Sequence, residues 1–517
     1  MADTRMDTDD PAAVAADPLN LLPNRIADWA AKEPSKPFLV EVGGRSASYG
    51  EFDAEVRRWM RWLTERGIGA GDRVASFLPG CIDACAVWLG AAAIGAYEVP
   101  ISGDQRGEFL KHILTDSKAE LAIVRPEQEA MVREAAPGLA VEVVRPGASP
   151  VAGVEPATDV EPARADGVSC VIYTSGTTGN AKGVMISHAQ MSAIIGRIPR
   201  PWLSDADAVY APWPMSHVTG RSPLVSMADV GGRVVIRERF SLGDFWSDIR
   251  EYGITSTTPA AVVPLLMAEP HRPDERDHPL KLAWFGHLGA ISLQFQERFG
   301  PKPLGSYGST EVGFPIMQRN VTQENLGVCG WLRPGYQARV VDASGKDVPD
   351  GEPGELWIKP PVRNLVLLGY LDRPELTERA TEGGWYHTGD AVTRDADGAF
   401  RFVDRLTDTI RRFGENISAN ALAEAISLDD EVIECAVFGV PDEIAGQQVV
   451  LVAVGPKDEA ALWERLSERL TRFMVPSRII VVDELPRSPN GKIRKRVLEE
   501  QGLLDTGWVA PRRIRTK

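Results

Sequence analysis

The sequence predicts an α/β protein: a large N-terminal part made of α/β subdomains and a β-rich subdomain, followed by a small α+β C-terminal domain. Three observations carry this. Helix-like and strand-like segments alternate over residues 21–118 and again over 168–258. Residues 327–405 are dense in strands and turns, and after Asp404-Arg405 the pattern changes to a compact β-α-β unit.

Taken in order, residues 1–20 place Asp3, Asp7, Asp9, Asp10 and Asp17 ahead of any apolar run. They predict a disordered acidic leader and lack the basic start and hydrophobic core of a secretory signal. Residues 25–32 read as a helix, 37–42 as a strand, Ser48 as a helix N-cap and 52–65 as an amphipathic helix. The most apolar stretch, 74–101, is interrupted by Asp83, Gly80, Gly90 and Gly95 and closes on Glu98-Val99-Pro100. That pattern predicts a buried strand-helix-strand unit, not a membrane span. Residues 144–166, rich in Pro, Gly and Ala, predict a linker or surface loop. Val234-Val235-Ile236 and residues 254–258 predict short buried strands, and Asp397-Gly398 between two alternating runs predicts a hairpin. In the C-terminal unit, 432–440, 449–454 and 479–482 read as strands and 462–471 as a helix, with the domain boundary at 404–408.

The 517 residues are 44% hydrophobic and 25% charged, close to an average globular protein, which excludes a disordered, collagenous or coiled-coil chain. Lys and Arg number 57 against 72 Asp and Glu, a net charge of −15 that argues against nucleic acid or anionic lipid as a general partner. The cysteines (Cys81, Cys85, Cys170, Cys329, Cys435) form no CxxC pair and suit reduced thiols in the cytosol rather than a disulfide framework or a zinc site.

The most informative segment is Tyr173-Thr174-Ser175-Gly176-Thr177-Thr178-Gly179-Asn180-Ala181-Lys182-Gly183, between the apolar runs Cys170-Val171-Ile172 and Val184-Met185-Ile186. Glycines admit close backbone approach, hydroxyls and free amides supply neutral donors, and Lys182 adds a charge, the makings of a phosphate cradle. It is not a Walker A loop, because Lys182 precedes Gly183 instead of Ser or Thr. A Gly/Thr-rich hairpin turn is the plainer alternative.

This loop resembles the signature of the adenylate-forming superfamily, which includes acyl-CoA synthetases, firefly-type luciferases and the adenylation domains of peptide synthetases. Further motifs recur in that family's order along nearly the whole chain: Gly305-Ser306-Tyr307-Gly308-Ser309-Thr310-Glu311; Gly354-Glu355-Leu356-Trp357-Ile358; Gly369-Tyr370 with Pro374-Glu375-Leu376-Thr377; Trp385-Tyr386-His387-Thr388-Gly389-Asp390; Asp404-Arg405 through Gly414-Glu415-Asn416-Ile417; and Pro486-Arg487-Ser488-Pro489-Asn490-Gly491-Lys492. The texture around Arg412-Phe413-Gly414-Glu415 is most similar to the crotonobetaine/carnitine-CoA ligase-like and medium-chain acyl-CoA synthetase branches.

The resemblance implies a fold with an AMP-binding N-terminal domain at 21–404, a hinge at 405–408 and a mobile C-terminal domain at 409–517. It implies ATP, Mg²⁺ and CoA as cofactor and co-substrates. Thr174, Ser175, Gly176, Thr177, Thr178, Gly179 and Lys182 would hold the β- and γ-phosphates. Thr310 would meet the α-phosphate, and Glu311 with Thr174 the Mg²⁺, a hard cation that prefers oxygen. Tyr307 and Gly308 would face adenine, and Asp390 and Arg405 the ribose. Lys492 would bridge carboxylate and phosphate in the adenylation step, offsetting two anions forced together. The small domain would then rotate and bring Gly414 and Glu415 to the site for thioester formation. The family's pivot position is Thr407 here, with Asp408 beside it.

His217, in Pro214-Met215-Ser216-His217-Val218-Thr219-Gly220, would gate the acyl pocket, with Val263, Gly286, His287 and Gly289 forming its walls. No aspartate stands in this motif to pair with a substrate ammonium, so the resemblance implies a carboxylic acid without a free α-amino group. The segment Trp284-Phe285-Gly286-His287-Leu288-Gly289-Ala290 departs from the family's Gly-Gly-Ala pattern, and Ala419-Asn420-Ala421-Leu422-Ala423-Glu424 departs from the pattern expected near the thiol acceptor. Three readings follow: an acid-CoA ligase, an adenylate-forming enzyme with an amine or carrier-protein acceptor, and a catalytically silent homologue. A cytoplasmic location is expected, and the resemblance leaves room for a homodimer.

Overall fold

The computed structural model describes residues 10–103, 105–174, 181–194, 202–259, 262–286, 288–405, 409–412, 415–442, 445–471, 473–487 and 493–511. Its first described residues depart from the expected leader. Asp10 caps a helix, Pro11–Ala16, by accepting from Ala12 N (2.9 Å) and Ala13 N (3.3 Å), and Val14 is only 5% exposed, inside the main core. Asp17 accepts from Leu19 N (3.0 Å) at the next turn, Pro18–Asn20. Asp10 and Asp17, two of the aspartates in the expected leader, are thus helix caps.

The helices Leu22–Lys32 and Tyr49–Glu65 follow as expected, the second opened by a capping box in which Ser48 and Glu51 bond each other's backbone N–H. The buried side chains of Tyr49–Glu65 include Phe52, Trp59, Trp62 and Leu63. The strand Arg73–Phe77, the helix Ile82–Ala93 and the strand Tyr97–Pro100 realise the apolar 74–101 stretch. With Leu121–Val124 and Ala140–Val143 these strands make an all-parallel four-stranded sheet.

A larger sheet runs in the order Trp331–Leu332, Gly313–Gln318, Lys302–Ser309, Leu282–Phe285, Ser256–Thr257, Ala208–Ala211, Arg233–Ile236, Pro37–Glu41, Ser46–Ser48. Its central strands are parallel, and the strand Pro37–Glu41, paired on one side with its sequence neighbour Ser46–Ser48, lies on the other side beside Arg233–Ile236, with Leu39 opposite Val234. A three-stranded sheet joins Val168–Thr174, Lys182–Ser187 and Gly369–Tyr370, and an antiparallel sheet joins Gln337–Val341, Gly354–Lys359, Tyr386–Arg394 and Phe400–Arg405. The Asp397-Gly398 hairpin is present, pairing Arg394 with Phe400. Beyond residue 405 a separate sheet carries Glu434–Asp442, Gly446–Val454 and Arg478–Val481, with its own apolar core around Val449, Leu451, Leu462 and Ile479. Among the described residues the cysteines are all free.

Candidate active site

The phosphate loop connects two antiparallel strands, Val168–Thr174 and Lys182–Ser187, which set Thr174 directly opposite Lys182. The loop residues Ser175, Gly176, Thr177, Thr178 and Gly179 lie outside the described residues. Both shoulders of the loop are held from outside. Tyr173 Oη donates to Asp116 (2.8 Å), and His112 Nε2 lies 2.8 Å from the carbonyl of Ala181.

Facing the hairpin is the end of the strand Lys302–Ser309. Gly308 is required there by close approach: a Cβ would sit 1.8 Å from the carbonyl oxygen of Gly313. The turn that follows carries Thr310 and Glu311, and buried Gln190 donates to both their carbonyls (2.9 and 3.2 Å). Gln190 carried no signal in the sequence, being one amide in a short apolar helix. The Glu311 carboxylate accepts from Tyr370 Oη at 3.4 Å, and Lys182 Nζ lies 5.6 Å from the centroid of the same tyrosine ring. Lys182, Tyr370 and Glu311 therefore form one group.

Asp390 is buried at a left-handed turn, with Gly389 at φ +69°. That turn is bracketed by the neighbouring strand: Gly389 N donates to Glu355 Oε1 (3.0 Å), Thr388 Oγ1 to Leu356 O (2.7 Å), and Trp357 Nε1 to Glu355 Oε2 (3.0 Å). The Gly354-Glu355-Leu356-Trp357 motif thus frames Asp390. Tyr307 Oη donates to Asp390 Oδ2 at 2.6 Å. Burial and the Asp390 charge push this phenol well above its ordinary range, so it stays protonated as the donor. Arg405 stands opposite Asp390 in the strand pairing.

His217, Val263, Gly286 and Gly289 lie past the carboxyl ends of the parallel strands, the edge where open α/β sheets bind ligands. His217 caps the helix Val218–Val230, its Nδ1 accepting from Thr219 N (3.3 Å) and lying 3.0 Å from Thr219 Oγ1. Gly286 follows the strand Leu282–Phe285 and faces open space, Gly289 caps the helix Ala290–Phe299, and Val263 packs into a buried apolar cluster. Trp213, which sequence reasoning missed, ties two of these strand ends by donating Nε1 to Thr258 O (2.7 Å).

His287, Gly414, Lys492 and the hinge residues Thr407 and Asp408 lie outside the described residues. Glu415 lies in a small-domain hairpin opposite Arg412. The altered segment after Ser418 is the helix Ala419–Ile426, whose Ala419, Leu422 and Ile426 are buried in the small-domain core. Helix packing accounts for these three residues, while Ala421 and Glu424 face outward.

The donor set fits magnesium triphosphate: a carboxylate and hydroxyls (Glu311, Thr310, Thr174) for a hard cation, an ammonium (Lys182) for phosphate, and open space at Gly286 for the remainder of a ligand.

A phosphate hairpin set against a carboxylate-bearing turn, with a second buried carboxylate beside it and a small domain following, defines a nucleotide-dependent acid-activating enzyme. The chain belongs to the AMP-binding enzyme family, matching it over residues 26–371 and the AMP-binding enzyme C-terminal domain over 422–492. It is an AMP-forming, adenylate-forming ligase of that superfamily. It is 32% identical over 500 residues to a sulfoacetate–CoA ligase of Cupriavidus necator, covering 91% of this chain and 96% of the relative. It is 31% identical over 493 residues to a crotonobetaine/carnitine–CoA ligase of Citrobacter koseri, covering 88% and 93%. The fold matches ATP-bound MatB from Rhodopseudomonas palustris with a TM-score of 0.82 at 26% identity, over 93% of this chain and 98% of that one. A benzoate CoA ligase from Burkholderia xenovorans shares the fold at a TM-score of 0.83 and 22% identity, over 92% and 99%.

Proposed function

We propose that this enzyme is an acid–CoA ligase acting on a carboxylic acid without a free α-amino group. A carboxylate oxygen attacks the α-phosphorus of ATP, the α–β phosphoanhydride breaks, and pyrophosphate leaves; the CoA thiolate then attacks the acyl carbon and AMP departs. The observation that carries this reading is the convergence of Lys182, Glu311 and the Tyr307–Asp390 pair in a chain whose curated relatives are CoA ligases over nine-tenths of its length.

In this reading Thr174 and Lys182 bind the β- and γ-phosphates together with Ser175, Thr177 and Thr178, and Asp390 with Arg405 takes the ribose. Thr310 donates to the α-phosphate as charge gathers on it, and Lys492 offsets the two anions being joined. Glu311 and Thr174 would hold Mg²⁺, which would supply charge neutralisation. His217 orients and screens the acyl group and does not act as a base. Glu415 and Gly414 serve the thioester half-reaction. Free thiols suit a cytoplasmic setting, and among the described residues no helix is long and apolar enough to cross a membrane.

The test is mass spectrometry of products after incubation with ATP, Mg²⁺, CoA, a simple amine and a panel of sulfonated, betaine-like, aliphatic and aromatic acids. Acyl-CoA is expected, and acyl-adenylate or amide without thioester would refute the CoA step. Lys492→Ala should abolish pyrophosphate release while leaving ATP binding nearly intact; unchanged release would overturn its role.

A further inference from the structure

The segment 367–373 is a strap that joins the two halves of the triphosphate site. Leu367 N donates to Glu311 O (2.6 Å), while Leu368 N and Leu371 N donate to Met185 O and Gly183 O (2.9 and 2.8 Å) on the phosphate hairpin. The strap is anchored at its far end as well. Asp372, in the left-handed region at φ 53°, pairs with Arg73 (2.8 Å) and Lys118 (2.8 Å). Arg373 reaches Asp116 (2.5 Å), the carboxylate that also receives the Tyr173 hydroxyl at the loop's first shoulder. A non-glycine residue at positive φ is costly and persists only where its surroundings fix it.

Tyr370 is the one strap side chain placed against both functional groups. Its hydroxyl donates to Glu311 Oε1 (3.4 Å), its ring face lies under Lys182 Nζ (5.6 Å), and its hydroxyl lies close to the phenol of buried Tyr386. Its backbone N–H is spent on Thr377 Oγ1 (2.8 Å), which fixes the residue in register beside Val184. Burial and Glu311 raise the Tyr370 phenol above its ordinary range, so it remains a donor.

We infer that Tyr370 is a positioning residue for the adenylation step, holding the Glu311 carboxylate through its hydroxyl and the Lys182 ammonium through its ring. One side chain thus sets the spacing of the metal-side and phosphate-side charges before the nucleotide arrives. This rests on the proposed role of Glu311. A hydroxyl bonded to a carboxylate across a long 3.4 Å contact is worth about a fivefold change in affinity, and a cation over an aromatic face adds roughly as much again.

The test compares Tyr370→Phe, Tyr370→Leu and Glu311→Gln with the wild type. Calorimetric affinity for a non-hydrolysable ATP analogue is measured with Mg²⁺ and with EDTA, alongside the Mg²⁺ dependence of ATP–pyrophosphate exchange and the melting temperature. Tyr370→Phe keeps the ring and should weaken analogue binding about fivefold with Mg²⁺ but not in EDTA. Tyr370→Leu loses the ring too and should weaken binding in both conditions. Equal losses with and without Mg²⁺ in Tyr370→Phe, or none, would overturn the inference. Loss of Mg²⁺ dependence in Glu311→Gln beside an unaffected Tyr370→Phe would overturn it alone, and an unaffected Glu311→Gln would overturn the Glu311 role with it. Should Tyr370→Phe fail to fold, Tyr386→Phe keeps the ring and Glu311 in place. It should give a smaller loss of the same Mg²⁺-dependent kind, and an unchanged Mg²⁺ dependence there would count against the inference.

Discussion

Glu98→Gln is the substitution whose cost the structure specifies most fully. Glu98 and Arg221 are both 0% exposed, joining the parallel four-stranded sheet to the helix that His217 caps. Arg221 Nη2 donates to both Glu98 oxygens (2.8 and 3.0 Å), Nε donates to Met215 O (2.5 Å), and the guanidinium lies 4.4 Å from the Trp88 ring centroid. Ser76 Oγ donates to Glu98 Oε1 (2.8 Å). Burial pushes the Glu98 carboxyl up, against the pull of Arg221. Glutamine preserves the volume but leaves the guanidinium charge uncompensated, and breaking a buried pair from one side costs about 3–5 kcal/mol. In a domain of this size each kcal/mol moves the melting temperature by roughly 1–2 °C, so scanning calorimetry should show a fall of about 3–10 °C. Replacing both partners with apolar residues, Glu98→Leu with Arg221→Met, should recover most of it, because a well-packed apolar pair is close to neutral. Because Arg221 also holds the backbone two residues before His217, Glu98→Gln should raise KM for the acid more than for ATP. A melting temperature within about 1 °C of wild type would refute the reasoning.

Tyr307→Phe removes the 2.6 Å donor to Asp390 and should weaken ATP binding about tenfold by calorimetry with KM for the acid unchanged; unaltered ATP affinity would separate Tyr307 from the nucleotide. Gly308→Ala brings a Cβ to 1.8 Å from Gly313 O and should abolish ATP–pyrophosphate exchange while circular dichroism stays native; normal exchange would refute the tight turn. Two buried groups should pull stability in opposite directions on acidification. Burial lowers His188 to about 4, so the unfolded chain binds its proton first and stability falls as pH drops from 6.5 towards 4. Burial raises Asp83 to about 6, so the folded chain binds that proton first and stability rises as pH drops from 6 towards 3.8. Denaturant titrations should therefore show Asp83→Asn losing stability more steeply than wild type over this range and His188→Gln less steeply; parallel curves would refute the assignment.

The sequence made the local elements legible because each is a local matter: a Ser48 cap, an Asp397-Gly398 turn, a short continuous apolar run at Val234-Val235-Ile236. It did not reveal that the strand Pro37–Glu41 would cross to pair with Arg233–Ile236, because parallel neighbours far apart in the chain leave no local trace. Within the expected leader, the helices after Asp10 and Asp17 were likewise not legible, because an aspartate marks a cap only once a helix N-terminus stands beside it. At the site, motif order pointed to Thr174, Lys182, Glu311 and Asp390, whose proximity the fold supports. Gln190 and Trp213 escaped notice because their contribution is a hydrogen bond to a distant carbonyl.

The two sides of the site are built differently, and this bears on how such a scaffold varies its acid. Glu311 and Asp390 each receive a phenol from another strand, and their turns are further braced by Gln190, Glu355 and Thr388. Preorganised groups of this kind incur little reorganisation when the nucleotide binds, and a change to any brace disturbs several partners at once. The acyl side rests on strand ends where Gly286 faces open space, and a residue added there meets no packed neighbour. A side chain introduced at Gly286 is therefore inexpensive in stability, whereas changes at buried Val263 or at the braces of Glu311 and Asp390 are not.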